Sequence, residues 1–110
     1  MKTLCFDIDG VICNNTWGDY EKAIPNKDVI KKINNLYEKG YLIKIFTARY
    51  MGRSNENIQG AYDLGFDFTH KQLRNWGIKF HELIMGKPSF DILIDDKAIS
   101  YNTDWMNTLE

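Results

Sequence analysis

Four short polar groups punctuate this sequence, each at the end of an apolar run. Asp7-Ile8-Asp9-Gly10 closes the run that begins at Thr3, and Thr47-Ala48-Arg49 follows Ile43-Lys44-Ile45-Phe46. Gly86-Lys87-Pro88 follows Leu83-Ile84-Met85, and Asp95-Asp96 follows Ile92-Leu93-Ile94. Carboxylates, a hydroxyl and a lysine are the groups that handle phosphate and a hard cation. Each has an ordinary role when taken alone. Asp-x-Asp-Gly suits a turn, because Asp caps and Gly accepts positive φ. Thr47 suits a helix cap, Lys87-Pro88 a solvated turn, and Asp95-Asp96 a strand terminus in water. All four together, each after a strand-like run, point instead to one site. In open α/β sheets, ligands bind outside the carboxyl ends of the strands.

The chain must therefore supply parallel strands to carry these groups. Thr3–Ile8 is short and nearly continuous in apolar character, as expected for a strand buried on both faces. Residues 26–39 read as a helix: Asn26 is the N-cap, Val29, Ile30, Ile33, Leu36 and Tyr37 recur at helical spacing, and Gly40 ends it. Tyr41–Phe46 is a second strand. Arg49–Gly65 holds three glycines and weak periodicity, which predicts a loop with one helical stretch around Asn55–Leu64. Thr69–Trp76 is a helix closed by Gly77. Glu82–Met85 and Asp91–Ile94 are further short strands, and Thr103–Asn107 is a last helical turn or two. Strands alternating with helices predict an α/β fold, a Rossmann-like three-layer sandwich on a small parallel sheet.

Composition narrows the class. A chain of 110 residues allows one domain, spanning 1–110. Fourteen Lys and Arg against fifteen Asp and Glu give a net charge of −1, without the basic excess that nucleic acid or an anionic membrane would call for. No apolar run approaches the ~18 residues that span a bilayer. The first carboxylate comes too early for the apolar centre of a signal peptide. Cys5 and Cys13 make no disulfide framework and no metal-ligand spacing, so reduced thiols in a cytoplasmic protein are expected. His70, His81, Trp76 and Trp105 read as packing residues.

In this order, D-I-D-G at 7–10, F-T-A-R at 46–49, G-K-P at 86–88 and I-D-D at 94–96 resemble the haloacid dehalogenase superfamily of phosphatases and phosphotransferases. The resemblance runs from Phe6 to Ala98. The run D-Y-E-K-A-I-P at 19–25, with the helix and G-Y-L-I-K-I-F-T-A-R after it, resembles more narrowly the short phosphatases of capsule and surface-polysaccharide biosynthesis. The resemblance implies that Asp7 is the nucleophile forming an aspartyl-phosphate, and that Asp9 is general acid, then base. It implies that Thr47 binds the phosphoryl oxygens and that Lys87 neutralises phosphate and nucleophile. It also implies a metal held by Asp7, the Asp9 carbonyl and Asp95, with Asp96 either a second ligand or one acting through water.

The charges support that division. Two like charges about 4 Å apart cost about 4 kcal/mol at an effective dielectric of ~20, so carboxylates sharing one pocket need cations. All-oxygen ligands select Mg²⁺. Asp7, Asp95 and Asp96 bring three negative charges when Asp9 is protonated; Mg²⁺ and Lys87 return three positive ones. A phosphate dianion then calls for one more cation, and Arg49, beside Ala48 at the substrate, is the candidate.

Val11–Pro25 and Arg49–Gly65 are too short to form the cap domain that many superfamily members carry, so a capless enzyme is expected. Its pocket would be open unless loops, a second subunit or a large substrate cover it, which favours a homo-oligomer. Trp17 and Tyr20 are expected to wall the mouth and touch the substrate. The narrower resemblance implies a small phosphorylated metabolite, a sugar or polyol, with a phosphoprotein as the alternative. A receiver domain, a non-enzymatic phospho-acceptor, shares the length and residue types, but there the acid pair comes first and here it comes last. A sugar-nucleotide transferase using Asp7 and Asp9 would need a much longer chain.

Overall fold

The computed structural model describes residues 2–101 and 105–108. Three strands, β1 (Thr3–Phe6), β2 (Leu42–Thr47) and β3 (Glu82–Met85), form a parallel sheet in the order β1-β2-β3. Helix α1 (Lys27–Glu38) connects the first pair and α2 (Ile58–Asn75) the second. A short α3 (Trp105–Thr108) follows. Parallel neighbours require crossovers, and right-handed crossovers stepping in one direction put both helices on one face. That face of the sheet carries Phe6, Ile43, Ile45, Thr47, Leu83 and Met85, all buried. Ile33 and Leu36 of α1 and Leu73 of α2 share its core. The opposite face carries Cys5 and Glu82, both exposed, and Lys44, Phe46 and Ile84, half-buried. β1 is thus covered on one face, where burial on both was expected.

The first helix has the boundaries that its caps predict. Asn26 accepts from Asp28 N at 3.1 Å and Val29 N at 3.2 Å. At the other end, Gly40 takes φ of 98° while Tyr41 N donates to Leu36 O. The second helix departs from the sequence reading. Residues 58–75 form one continuous helix where a loop with a helical stretch around Asn55–Leu64 and a separate helix Thr69–Trp76 were expected. Its two early glycines serve contact instead of chain reversal. A Cβ on Gly65 would lie 2.0 Å from the Tyr50 ring, and one on Gly60 would lie 2.8 Å from Ser54. The helix begins at Asn57, whose side chain accepts from Gly60 N at 2.7 Å.

The expected strand at Asp91–Ile94 does not form. These residues pair with no strand of the sheet and stand in solvent, Ile92 at 80% and Ile94 at 94% exposure. An apolar run becomes a strand only when a neighbour supplies its hydrogen bonds, and here none does. Thr103, the expected start of the last helix, lies outside the described residues. Trp105 in α3 packs edge-on against Phe6 with ring centroids 5.8 Å apart, which holds the C-terminal turn to the body. No helix among the described residues is long and apolar enough to cross a membrane.

The Gly65 contact gives a stability prediction. Gly65→Ala should destabilise by about 1–3 kcal/mol, the usual range for overpacking. In a Tyr50→Ala background the same change should cost little or stabilise, since alanine favours helix. Urea denaturation of the double-mutant cycle checks this; equal costs in both backgrounds would contradict it.

Candidate active site

The strand register brings three chain segments to one edge. Phe6 pairs with Ile45 and Thr47 with Met85, so Asp7, Thr47 and Lys87 leave the sheet close together. Lys87 N donates to Thr47 O at 3.1 Å, which extends the β2–β3 ladder by one bond. Gly86 makes this approach at φ of 95°. After β1 the chain folds tightly: Ile12 N donates to Ile8 O at 2.8 Å and Gly10 N to Cys13 O at 2.8 Å. Ile8 is fully buried, while Asp7 and Asp9 both face a cleft of about 460 Å³. The alternation read from the sequence holds here.

Each carboxylate has its own cation. Asp7 Oδ1 accepts from Ile8 N at 2.8 Å, and Asp7 Oδ2 accepts from Lys87 Nζ at 3.0 Å. Asp9 is gripped by Arg49 in a two-pronged pair, Nε to Oδ2 at 2.9 Å and Nη2 to Oδ1 at 3.0 Å. The Arg49 side chain is fully buried and Lys87 is 16% exposed; of the two carboxylates, Asp7 at 33% reaches further into solvent than Asp9 at 20%. The remaining nitrogen, Nη1, donates to Gln72 Oε1 at 2.6 Å, and the guanidinium lies over the Tyr20 ring at 4.5 Å. Gln72 Nε2 in turn donates to Tyr20 O at 2.7 Å.

Several expected residues stand elsewhere. Arg49, expected to grip substrate, borders the cleft but commits two nitrogens to Asp9, because a guanidinium this deep needs a counter-charge. Thr47, expected at the phosphoryl oxygens, is fully buried and does not line the cleft, and its Oγ1 accepts from Arg49 N at 3.1 Å. It shapes the turn that launches Arg49. Asp95 and Asp96 are exposed and do not line the cleft; Asp95 Oδ1 accepts from Lys97 N at 2.8 Å. Their displacement follows from the missing fourth strand. Among the described residues, no three His, Cys, Asp or Glu side chains gather where they could hold a metal. Of the four expected metal ligands, Asp7 and Asp9 face the cleft, and Asp95 and Asp96 do not.

Of the two expected wall residues, Tyr20 folds down under Arg49 and beside Tyr50, and Trp17 stands at the mouth, 93% exposed with φ of 56°. Asn15, Thr16, Gly18, Ala48, Ser89 and Phe90 complete the lining with Pro88. Arg53, unremarked in the sequence, lies over both tyrosine rings and donates to Gly18 O, tying the two loops beside the cleft together. Its spacing from Gly18 carries no local signal.

Burial and the neighbouring Asp9 charge push the Cys13 thiol up to about 12; burial also raises Tyr50. The Cys13 thiol donates toward Asp9 Oδ1 at 3.5 Å and stays protonated at neutral pH. The unfolded chain loses this proton near 9.0 while the native chain keeps it to about 12. Between those values the native state holds more protons, so stability falls as pH rises. Cys13→Ala should flatten that part of the stability–pH curve. Urea melts at several alkaline pH values test this, and parallel wild-type and variant curves would contradict it.

No protein-family model matches the sequence, and no curated protein matches it. Among solved structures, a Vibrio cholerae protein superposes with a TM-score of 0.84 at 26% identity, covering 98% of this chain and 95% of its own. A D,D-heptose 1,7-bisphosphate phosphatase from B. bronchiseptica, crystallised with magnesium and phosphate, superposes with a TM-score of 0.53 at 17% identity. That match covers 77% of this chain and 49% of the phosphatase. The chain has a small α/β fold of the haloacid dehalogenase type.

Proposed function

We propose that this chain is a phosphomonoester hydrolase working through an aspartyl-phosphate on Asp7. The observation that carries the reading is the cleft itself: Asp7 stands at the carboxyl edge of the sheet with Lys87 Nζ at 3.0 Å, and Asp9 faces the same space. In the first step, entered with Asp9 protonated, an Asp7 oxygen bonds to phosphorus, the ester P–O bond breaks, and Asp9 gives its proton to the leaving oxygen. In the second step water attacks phosphorus, Asp9 takes its proton, and inorganic phosphate leaves with Asp7 restored. Lys87 balances charge on the phosphoryl oxygens. Asp9 must free one oxygen from the Arg49 fork at each transfer.

The cations and carboxylates in the cleft balance as they stand, Lys87 against Asp7 and Arg49 against Asp9. An arriving phosphate dianion unbalances them, and a divalent cation would restore neutrality. We include Mg²⁺ in this reading for that reason. Asp95 and Asp96 would reach Asp7 only if the apolar run before them moved onto the outer edge of β1, which no described strand occupies. The exposed Trp17 at the mouth suits the apolar face of a sugar or polyol leaving group, and supports a small phosphorylated metabolite as substrate.

A panel of phosphate esters assayed with and without Mg²⁺ tests the reading. Hydrolysis should depend on Mg²⁺ and vanish in Asp7→Asn. Asp95→Asn and Asp96→Asn should each weaken the apparent Mg²⁺ affinity. Trp17→Ala should raise KM for the preferred sugar or polyol phosphate and leave an aryl phosphate unaffected, because its contacts lie on the leaving group. Activity in Asp7→Asn would overturn the nucleophile. Preference for phosphopeptides would replace the metabolite with a phosphoprotein.

A further inference from the structure

We propose that Gln72 is a positioning residue: it sets the orientation of the Arg49 guanidinium, and so of Asp9, and ties the same assembly to the loop beside the cleft. The inference rests on the phosphatase reading for its kinetic consequence, although the positioning itself has an independent readout. Arg49 offers only donors, and its side chain is fully out of water. Nε and Nη2 donate to Asp9, Nη2 also reaches Cys13 Sγ at 3.9 Å, and Nη1 donates to Gln72 Oε1 at 2.6 Å. Without that acceptor, the guanidinium would carry a buried N–H with nothing to receive it and would turn on its stem to find another.

The geometry also fixes the other end of the amide. Because a guanidinium cannot accept, the Gln72 oxygen must face it, and the NH₂ group points to Tyr20 O at 2.7 Å. Tyr20 opens the short helical turn Tyr20–Lys22, and its ring lies under the same guanidinium. One side chain from α2 thus holds the Asp9 arm with its oxygen and the loop with its nitrogen. The base of that side chain is firm: Gly65, Thr69 and Leu73 are buried on the same helix, and Tyr50 packs directly on Gly65.

The two hydrogen bonds predict two separable effects. Proton delivery by Asp9 matters most when the leaving oxygen is a poor one, as in an alkyl phosphate, and least in an aryl phosphate. Gln72→Met fills similar space with no polar partner for either side. Its kcat on the alkyl ester should fall about tenfold further than on the aryl ester, a fraction of the usual worth of general acid catalysis, and KM should rise for both. Gln72→Glu keeps an acceptor for Nη1 but sets an oxygen against the Tyr20 carbonyl. Its alkyl-to-aryl kcat ratio should stay near wild type while KM rises. An equal fall of kcat on both esters in Gln72→Met, or an unchanged KM in Gln72→Glu, would overturn the proposal. Should Gln72→Met fail to fold, Gln72→Glu decides alone by the same KM and ratio criteria. In parallel, ¹⁵N NMR of the Arg49 guanidinium should show slow N–H exchange in the wild type and faster exchange in Gln72→Met; unchanged signals overturn the positioning. If wild type hydrolyses neither ester, the phosphatase reading falls, and the NMR comparison (with Gln72→Leu, which also removes the acceptor, in place of an unfolded Gln72→Met) still decides what Gln72 does.

Discussion

The buried guanidinium of Arg49 is the constraint around which the carboxyl edge of the sheet is arranged. A cation 1% exposed must find partners for its donors within the protein, and these come from three separate segments. Asp9 and Cys13 belong to the turn after β1, Gln72 to α2, and Tyr20 to the loop over the cleft. Removing one partner from a buried pair of this kind typically costs about 3–5 kcal/mol. The pair therefore fastens the turn, the helix and the loop to the end of β2. The Asp7–Lys87 pair is different, being part-exposed and open to the cleft. An incoming phosphate can share Lys87 without breaking anything that holds the fold. Two carboxylates two residues apart are thus set in unlike surroundings, one presented and one held.

That contrast depends on ordinary features of the chain. A parallel register aligns Asp7, Thr47 and Lys87 at one edge, and the tight turn through Gly10 brings Asp9 back over it. Thr47 contributes from below, by fixing the backbone from which Arg49 departs. The length and rigidity of α2 then matter as much as the loops, since it carries Gln72 to the guanidinium. Glycine at 65 is what lets the helix approach Tyr50, and Tyr50 in turn packs at a tilt against Tyr20.

The parts legible in the sequence are those with local causes. Three strands, α1 with its Asn26 cap, and the common side shared by Asp7 and Asp9 all follow from periodicity and capping. The rest depends on partners that no local pattern names. Gly60 and Gly65 read as breaks, yet their missing side chains are used by Ser54 and Tyr50 across space. The run Ile92-Leu93-Ile94 has strand composition, but a strand also needs a neighbour. Arg49 looked like a spare cation because the charge count placed four carboxylates in the cleft. With Asp95 and Asp96 outside it, Arg49 pairs with Asp9. Gln72 meets Arg49 over a separation of 23 residues and offers no motif by which to be found.

The central claim is that Asp7 takes the phosphoryl group. Acid-quenching the protein while it turns over a small aryl phosphate, then mapping the adduct by peptide mass spectrometry, tests it most directly. The account predicts one phosphoryl group on Asp7, absent in Asp7→Asn and accumulating in Asp9→Asn, where water attack is slowed. Turnover with no covalent adduct, or an adduct on another residue, would contradict it.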